Sequence, residues 1–367
     1  ENQQQIDESS NSVANKLSVH FFNFLGGTRP WSLGWFEFLR SGGIPLTSVS
    51  NPSPNPGSNP LCLPSSTALT SPIFDRAATS IDLLIEGRHF FADVDPYALG
   101  HKALAVNLSD LAAMGAKPIG CLLGLALPRV DEAWLSAFSS GFYALSDTYA
   151  CPLIGGDTTR SEQGICISVT VFGEVRAPFL QRNKAQVGDD IWVSGRLGAA
   201  HTALMLLNKQ VEGEALSNAE VELLALTRDA LERPTPRIAL GQALYQVAHA
   251  TLDISDGLVQ DLSHILKQSH VAAVIEEELL PVADALLTLS PELRRDAILG
   301  GGDVYELCFT APPAHGSRIR AISAELNLPL TRIGVITDQD SQSSLLQVHD
   351  RFAKPVEYFY AGLDHIR

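Results

Sequence analysis

The sequence predicts an α/β protein of two domains, and three observations carry that reading. From about Ala77 onward, short apolar runs suited to strands alternate with helical stretches. The 367 residues leave room for about two domains. Hydrophobic residues make up 45% against 18% charged, enough apolar material to bury a core. The expected organisation is an atypical N-terminal segment over residues 1–76, an N-terminal α/β domain over 77–180, and a C-terminal α/β domain over 181–367.

Residues 21–39 are rich in aromatics but show neither helical nor strand periodicity. Residues 50–60 consist of turn formers and helix breakers, which reads as a linker. Asp95-Pro96 supplies an N-cap and a first-turn proline for a helix over 97–114, which Gly115 and Pro118 stop. On it Asn107 and Asp110 share a face. Strands follow over 166–173 and 190–195. Helical stretches run from about 197 through 217 to 233 and over 236–247, then a strand near 251–255 and a helix over 258–267 that Gly257 opens.

The formal charge of −15 repels polyanions, so nucleic acid is not an expected partner. The longest apolar run, residues 119–127, is far short of the roughly 20 needed for a membrane helix. Residues 1–30 show no basic start followed by a long apolar region, and the expected compartment is the cytoplasm. Five cysteines without a C-x-x-C pair suit reduced core thiols rather than a disulfide frame or zinc site.

Five acidic knots carry the chemistry: Ser80-Ile81-Asp82, Asn107-Leu108-Ser109-Asp110, Gly155-Gly156-Asp157-Thr158, Asp253-Ile254-Ser255-Asp256-Gly257 and Gly301-Gly302-Asp303. Each is read as a carboxylate where an apolar run meets a turn or enters a helix. Such a group is costly to desolvate without a cation or several donors, and hard divalent metals favour oxygen ligands. Several Asp brought together could hold a nucleotide triphosphate through Mg²⁺ despite the negative net charge. The paired glycines beside Asp157 and Asp303 would admit a ligand close to the backbone, and the N–H groups at Gly257 suit phosphate. Plainer readings stand beside these: Asp256 as an N-cap, Asp157 as a turn residue, Asp95 as a cap only, His89 as a core histidine, and His264 facing solvent or core. Cys121, Cys151, Cys166 and Cys308 read as buried small hydrophobes. There is no G-x-x-x-x-G-K-[ST], no H-R-D with D-F-G, no G-x-S-x-G and no H-E-x-x-H, which disfavours P-loop NTPases, protein kinases, hydrolase elbows and zincins.

Glu86-Gly87-Arg88-His89-Phe90, the run from Lys102 to Gly115, Leu153-Ile154-Gly155-Gly156-Asp157-Thr158-Thr159 and Asp253-Ile254-Ser255-Asp256-Gly257-Leu258 occur in one order. Together they resemble the thiamine-monophosphate kinases, from about Ala77 to the C-terminus. The resemblance implies the aminoimidazole ribonucleotide synthetase-like fold, an N-terminal sheet domain pairing in a homodimer and a C-terminal α/β domain. It implies transfer of the ATP γ-phosphoryl group to thiamine monophosphate, with Mg²⁺ as cofactor. By motif match, Asp82, Asp110, Asp157, Asp253 and Asp256 would bind metal, Asp110 and Asp157 being the catalytic pair. Gly156, Asp157, Arg182 and Ser255 would contact ATP, and His89 and Asp303 the thiamine phosphate.

The chain departs from the family at four places. The family's acidic Gly-Asp-Asp-Ala turn aligns with Pro64-Ser65-Ser66-Thr67-Ala68, which has no carboxylate. A family hydroxyl is Ile81, the Glu-Asp pair is Asp303-Val304, and a C-terminal aromatic is Leu363. Ser65, Ser66 or Asp75 are the residues nearby that could stand in for the missing ligand. Impaired turnover is one expectation; a noncatalytic nucleotide- or thiamine-phosphate-binding relative and another synthetase of the superfamily are the alternatives.

Overall fold

The computed structural model describes residues 77–340 and 344–356. The expectations for the aromatic-rich segment, the linker, Cys62, the Pro64–Ala68 region, Asp75 and Leu363 lie outside the described residues.

The first sheet has four strands: β1 (Ala77–Ile85), β2 (Lys117–Leu127), β3 (Leu153–Arg160) and β4 (Cys166–Glu174), in the order β1-β4-β2-β3. β4 runs antiparallel to both β1 and β2, and β3 lies parallel to β2 at the edge. The longest apolar run of the sequence is thus the greater part of β2.

Across the sheet's inner face lies α1 (Pro96–Ala113), capped as the sequence predicts by Asp95, whose carboxylate accepts the Tyr97 N–H at 2.9 Å. α1 is apolar nearly all round, because the sheet, the helix α2 (Glu132–Thr148) and the second half of the chain enclose it. α1 and α2 approach backbone to backbone. A Cβ on Gly100 would sit 2.0 Å from the Phe138 carbonyl oxygen, and one on Gly141 1.9 Å from that of Tyr97. Two facing glycines therefore set this crossing.

The second half contains β5 (Asp190–Ser194), α3 (Ala199–Val211), α4 (Asn218–Glu232), α5 (Ile238–Ala243), β6 (Ala250–Asp253), α6 (Leu258–Ser269), β7 (Ala272–Glu276), α7 (Pro291–Leu299), β8 (Leu307–Ala311), α8 (Gly316–Leu326), β9 (Leu330–Thr337) and β10 (Leu346–His349). Its six strands run β10-β7-β9-β5-β8-β6, all pairs antiparallel except β10–β7. Leu258, Leu262, Ile265 and Leu266 of α6 pack into the core with Ile191, Val193 and Leu252 of the sheet. Each such side chain contributes about 1.5–3 kcal/mol of transfer free energy. α4 starts with a capping box between Ser217 and Glu220. Cys121, Cys151 and Cys308 are buried free thiols, as expected, while Cys166 is half-buried.

The outer face of the first sheet carries large apolar side chains. Ile81 (57% exposed), Leu83 (52%), Ile85, Ile119 (52%), Leu122 and Ile154 all project from it.

Candidate active site

Strand alternation divides β1: Ser80 and Asp82 turn inward toward α1, and Ile81, Leu83 and Ile85 turn outward. The last turns of α1 present Ser109 and Asp110 in succession. Ser80 Oγ donates to Asp110 Oδ2, and Ser109 Oγ donates to Asp253 Oδ2 at 2.7 Å. Two serine–aspartate bonds thus join β1, α1 and β6 where Asp82, Asp110 and Asp253 gather.

The electrostatics report the same crowding. Burial, then the carboxylates of Asp253 and Asp82, push the Asp110 carboxyl well above the usual range, against the pull of Ser80 and Arg182. Burial raises Asp253 as well, opposed by the Ser109 hydroxyl and by Arg182. Half-buried Tyr305 has its phenol pushed far up by burial and then by Asp303 and Asp82. A set of oxygen donors that resist ionising beside one another is what a hard divalent cation would relieve, so these residues fit Mg²⁺.

Beyond β6 the chain turns through Ser255, Asp256 and Gly257 into α6. Asp261 closes this turn: one carboxylate oxygen accepts the N–H groups of Ser255, Asp256 and Gly257 at 3.0, 3.0 and 3.1 Å. Two expectations are corrected here. The N-cap is Gly257, at φ +123°, not Asp256, whose Oδ2 accepts from Gln260 Nε2 at 2.9 Å. Of the N–H groups expected to suit phosphate, that of Gly257 itself is taken by Asp261. His264 is neither free in solvent nor in the core: half-buried, it offers a ligand atom within 4.8 Å of those of Asp256 and Asp261. Arg182 lies within electrostatic reach of Asp110, Asp253 and His264.

Asp303 adjoins this turn, since its N–H donates to the Ser255 carbonyl at 2.8 Å and the Tyr305 N–H donates to that of Ile254 at 2.8 Å. Its Oδ1 pairs with Lys102 Nζ at 2.8 Å and accepts from Tyr305 Oη at 3.1 Å. Val304 packs against the core of the second sheet, an apolar position that accounts for the missing second carboxylate. The glycine before this turn serves packing rather than ligand approach, because a Cβ on Gly301 would lie 2.2 Å from the Ala297 carbonyl oxygen.

His89 is half-buried in the turn after β1, not in the core. Its Nδ1 accepts the Ile85 N–H at 3.1 Å, which places any ring proton of the neutral form on Nε2. Gly156 and Asp157 lie within strand β3 rather than in a turn, so the turn reading of Asp157 is corrected. A Cβ on Gly156 would meet the Leu123 carbonyl oxygen at 1.9 Å, so its missing side chain accommodates the neighbouring strand. Gly156 pairs with Leu123, Leu123 with Val169 and Val169 with Asp82. Three strand spacings, about 14 Å, therefore separate Asp157's strand from Asp82, too far for one shared ion. Asp157 is exposed, and among the described residues no contact ties it to the buried cluster. The knots at Asp82, Asp110 and Asp157 are thus interior to strands or a helix; only those at Asp253–Gly257 and Gly301–Asp303 are turns. Ile81 points to the opposite face from Asp82, so a hydroxyl there would not have joined this cluster.

Lys102, Tyr305 and Asp261 were not singled out by the sequence. Of the three, Asp261 left a readable signal: a carboxylate in the first turn of a helix whose N-cap, glycine, has no side chain to cap with.

Fold and carboxylate cluster together define a protein of the AIR synthase class. Residues 71–175 match the AIR synthase related protein N-terminal domain, and residues 186–346 its C-terminal domain. Within that class the chain belongs to the thiamine-monophosphate kinase family. It is 40% identical over 297 residues to the thiamine-monophosphate kinase of Haemophilus influenzae, covering 80% of this chain and 87% of that protein. The crystal structure of thiamine-monophosphate kinase from Stenotrophomonas maltophilia superposes with a TM-score of 0.68 at 44% identity, covering 76% of this chain and 86% of the other. A structure of AaThiL complexed with AMPPCP and TMP superposes with a TM-score of 0.65 at 31% identity, covering 78% and 86%. No helix among the described residues is long and apolar enough to cross a membrane.

Proposed function

We propose that the chain transfers the γ-phosphoryl group of ATP directly to thiamine monophosphate, giving thiamine diphosphate, in a Mg²⁺-dependent reaction in the cytoplasm. The observation that carries this reading is the convergence of β1, α1 and β6 on Asp110, whose carboxyl feels those of Asp82 and Asp253, with Arg182 acting on both Asp110 and Asp253. A relative of the same fold complexed with AMPPCP and TMP supports a nucleotide and a second ligand bound together.

Asp82, Asp110, Asp253 and Asp256 would hold Mg²⁺, which when bound neutralises phosphate oxygens along the reaction. Arg182 offers a planar fork of donors to the triphosphate. Gly156, Asp157 and Ser255 serve the nucleotide; the span from β3 to the cluster is one that an extended nucleotide bridges and a single ion does not. His89, its ring oriented by the Ile85 N–H on Nδ1, and Asp303 serve the acceptor. Residues 77–180 and 181–367 act as the two domains of this machine.

In vitro, purified protein should convert thiamine monophosphate to thiamine diphosphate only with ATP and Mg²⁺, and Asp157→Ala should lose most of that activity. The missing acidic turn lowers turnover, so carboxylates restored at Ser65 and Ser66 should raise it. Transfer from a chiral γ-phosphate should invert configuration; net retention would rule out a single displacement.

The outer face of the first sheet completes the reading as a homodimer interface, because six exposed large apolar side chains on one sheet exceed what a monomer leaves to water. Leu83→Asp should convert a dimer to a monomer by light scattering. A wild-type protein that is monomeric at micromolar concentration would refute the interface.

A further inference from the structure

We propose that Lys102 is a positioning residue for the acceptor substrate: it cancels the charge of Asp303 and fixes that carboxylate as a neutralised hydrogen-bond acceptor for the thiamine end of thiamine monophosphate. The inference rests on the kinase reading above and deepens it.

Lys102 lies in the buried body of α1, two turns before Ser109 and Asp110, with 3% of its side chain exposed. A buried ammonium is retained only where a partner compensates it, and Asp303 does so at 2.8 Å. The same Asp303 oxygen accepts from Tyr305 Oη at 3.1 Å, so Oδ1 is occupied by two protein donors. Asp303 keeps 24% of its side chain open. Oδ2 takes no donor among the described residues, which leaves it for a ligand.

The backbone is built to hold this arrangement. Asp303 and Tyr305 both adopt left-handed φ values, +59° and +55°, which non-glycine residues avoid. Their N–H groups are anchored to Ser255 and Ile254 in the turn that follows Asp253. The pair is therefore registered to the turn between Asp253 and Gly257, next to the carboxylates proposed to hold Mg²⁺.

The chemistry explains why a lysine is needed. The site already gathers Asp82, Asp110 and Asp253, and both substrates carry phosphate. An unpaired carboxylate at position 303 would repel an incoming phosphate. Neutralised, it keeps an acceptor oxygen for an exocyclic amine or a cationic ring without adding net charge. The class of ligand this recognises is a donor-bearing cationic heterocycle that also carries phosphate.

Steady-state kinetics of Lys102→Met, Lys102→Arg, Asp303→Asn and the Lys102→Met/Asp303→Asn pair test the inference. Lys102→Met should raise KM for thiamine monophosphate by about 10-fold or more, the loss expected for a charge-assisted hydrogen bond, with KM for ATP within about 3-fold. Lys102→Arg should recover most of that affinity. The double variant should be no worse than the poorer single, because each single removes the same unit. A KM for thiamine monophosphate unchanged in Lys102→Met, equal losses on both substrates, or additive effects in the pair would overturn the inference. Should Lys102→Met fail to fold, the double variant, which leaves no unpaired charge, is read against Asp303→Asn, and a further large loss in it counts against the unit. If the wild-type protein does not turn over, the kinase reading falls separately. Calorimetric titration with thiamine monophosphate then decides Lys102, and equal Kd values in wild type and Lys102→Met overturn it.

Discussion

Asp110→Asn should lower kcat by about 10³-fold and at the same time make the metal-free protein more stable. Both effects follow from one arrangement. Asp110 is held between Asp253 and Asp82, with burial the largest cause of its raised protonation. Its folded value lies above the unfolded one, so the folded protein binds the extra proton. Stability is then fully present below the unfolded carboxylate range and declines as pH rises toward the raised folded value. At neutral pH the metal-free wild type carries that cost, and Asn, which keeps the shape and does not ionise, removes it. In chelator, calorimetry at pH 7 should place the variant about 2–4 °C higher, the shift about 1 kcal/mol makes in a protein of this size. The difference should shrink toward pH 4. With Mg²⁺ added the wild type should gain more stability than the variant, because ligand binding stabilises the state that binds it. A variant that melts below wild type at every pH would mean that the carboxylate is a structural hydrogen-bond partner of Ser80 and not an electrostatic liability retained for function.

Much of this site was legible in the sequence because its parts are short and local. Asp95-Pro96 announces the start of α1 and Gly115 its end, and the helix forms over Pro96–Ala113. Asp110 and Asp253 stand out because a carboxylate among Ala, Leu and Ile needs a partner somewhere. What the sequence does not display is the partner. Ser80 meets Asp110 across 30 residues and Ser109 meets Asp253 across 144, so only the packing of β1, α1 and β6 makes those pairs. Lys102 reads as an ordinary polar position in a helix until all sides of α1 are seen to be covered. Gly156 and Gly301 have a second reason that the sequence does not display: a glycine marks close approach, and in both cases an approaching atom is the protein's own backbone. The Asp256 cap failed because the chain enters α6 one residue later, at Gly257 with φ +123°, and the Asp256 carboxylate accepts from Gln260 Nε2 instead.

Glu306→Gln should be the most destabilising single change near the site. Glu306 is 6% exposed and accepts from Arg237 through both Nε, at 2.8 Å, and a terminal guanidinium nitrogen. Ser194 Oγ also donates to it, and that hydroxyl in turn accepts the Leu307 N–H at 2.9 Å. A Cβ on Gly195 would fall 2.0 Å from Glu306 Oε1, so glycine at 195 is what leaves room for the carboxylate. Removing its charge strands the Arg237 guanidinium, which costs about 3–5 kcal/mol when a partly buried partner is left uncompensated. The melting temperature should fall by roughly 10 °C. The same principle sets the control. Arg237→Met combined with Glu306→Leu removes both charges and keeps the volume, and should recover most of the loss, because the pair's net contribution is small even though breaking it is expensive. Activity below the melting transition separates structure from chemistry: among the described residues the hydrogen bond that links Glu306 to the site runs through its carbonyl, which accepts the Ile254 N–H at 2.8 Å, and a backbone bond survives either substitution. The double variant should therefore turn over at close to the wild-type rate. A Glu306→Gln protein within about 1 kcal/mol of wild type would mean that water solvates Arg237 in place of the carboxylate, and the pair would then be an exposed one in energetic terms.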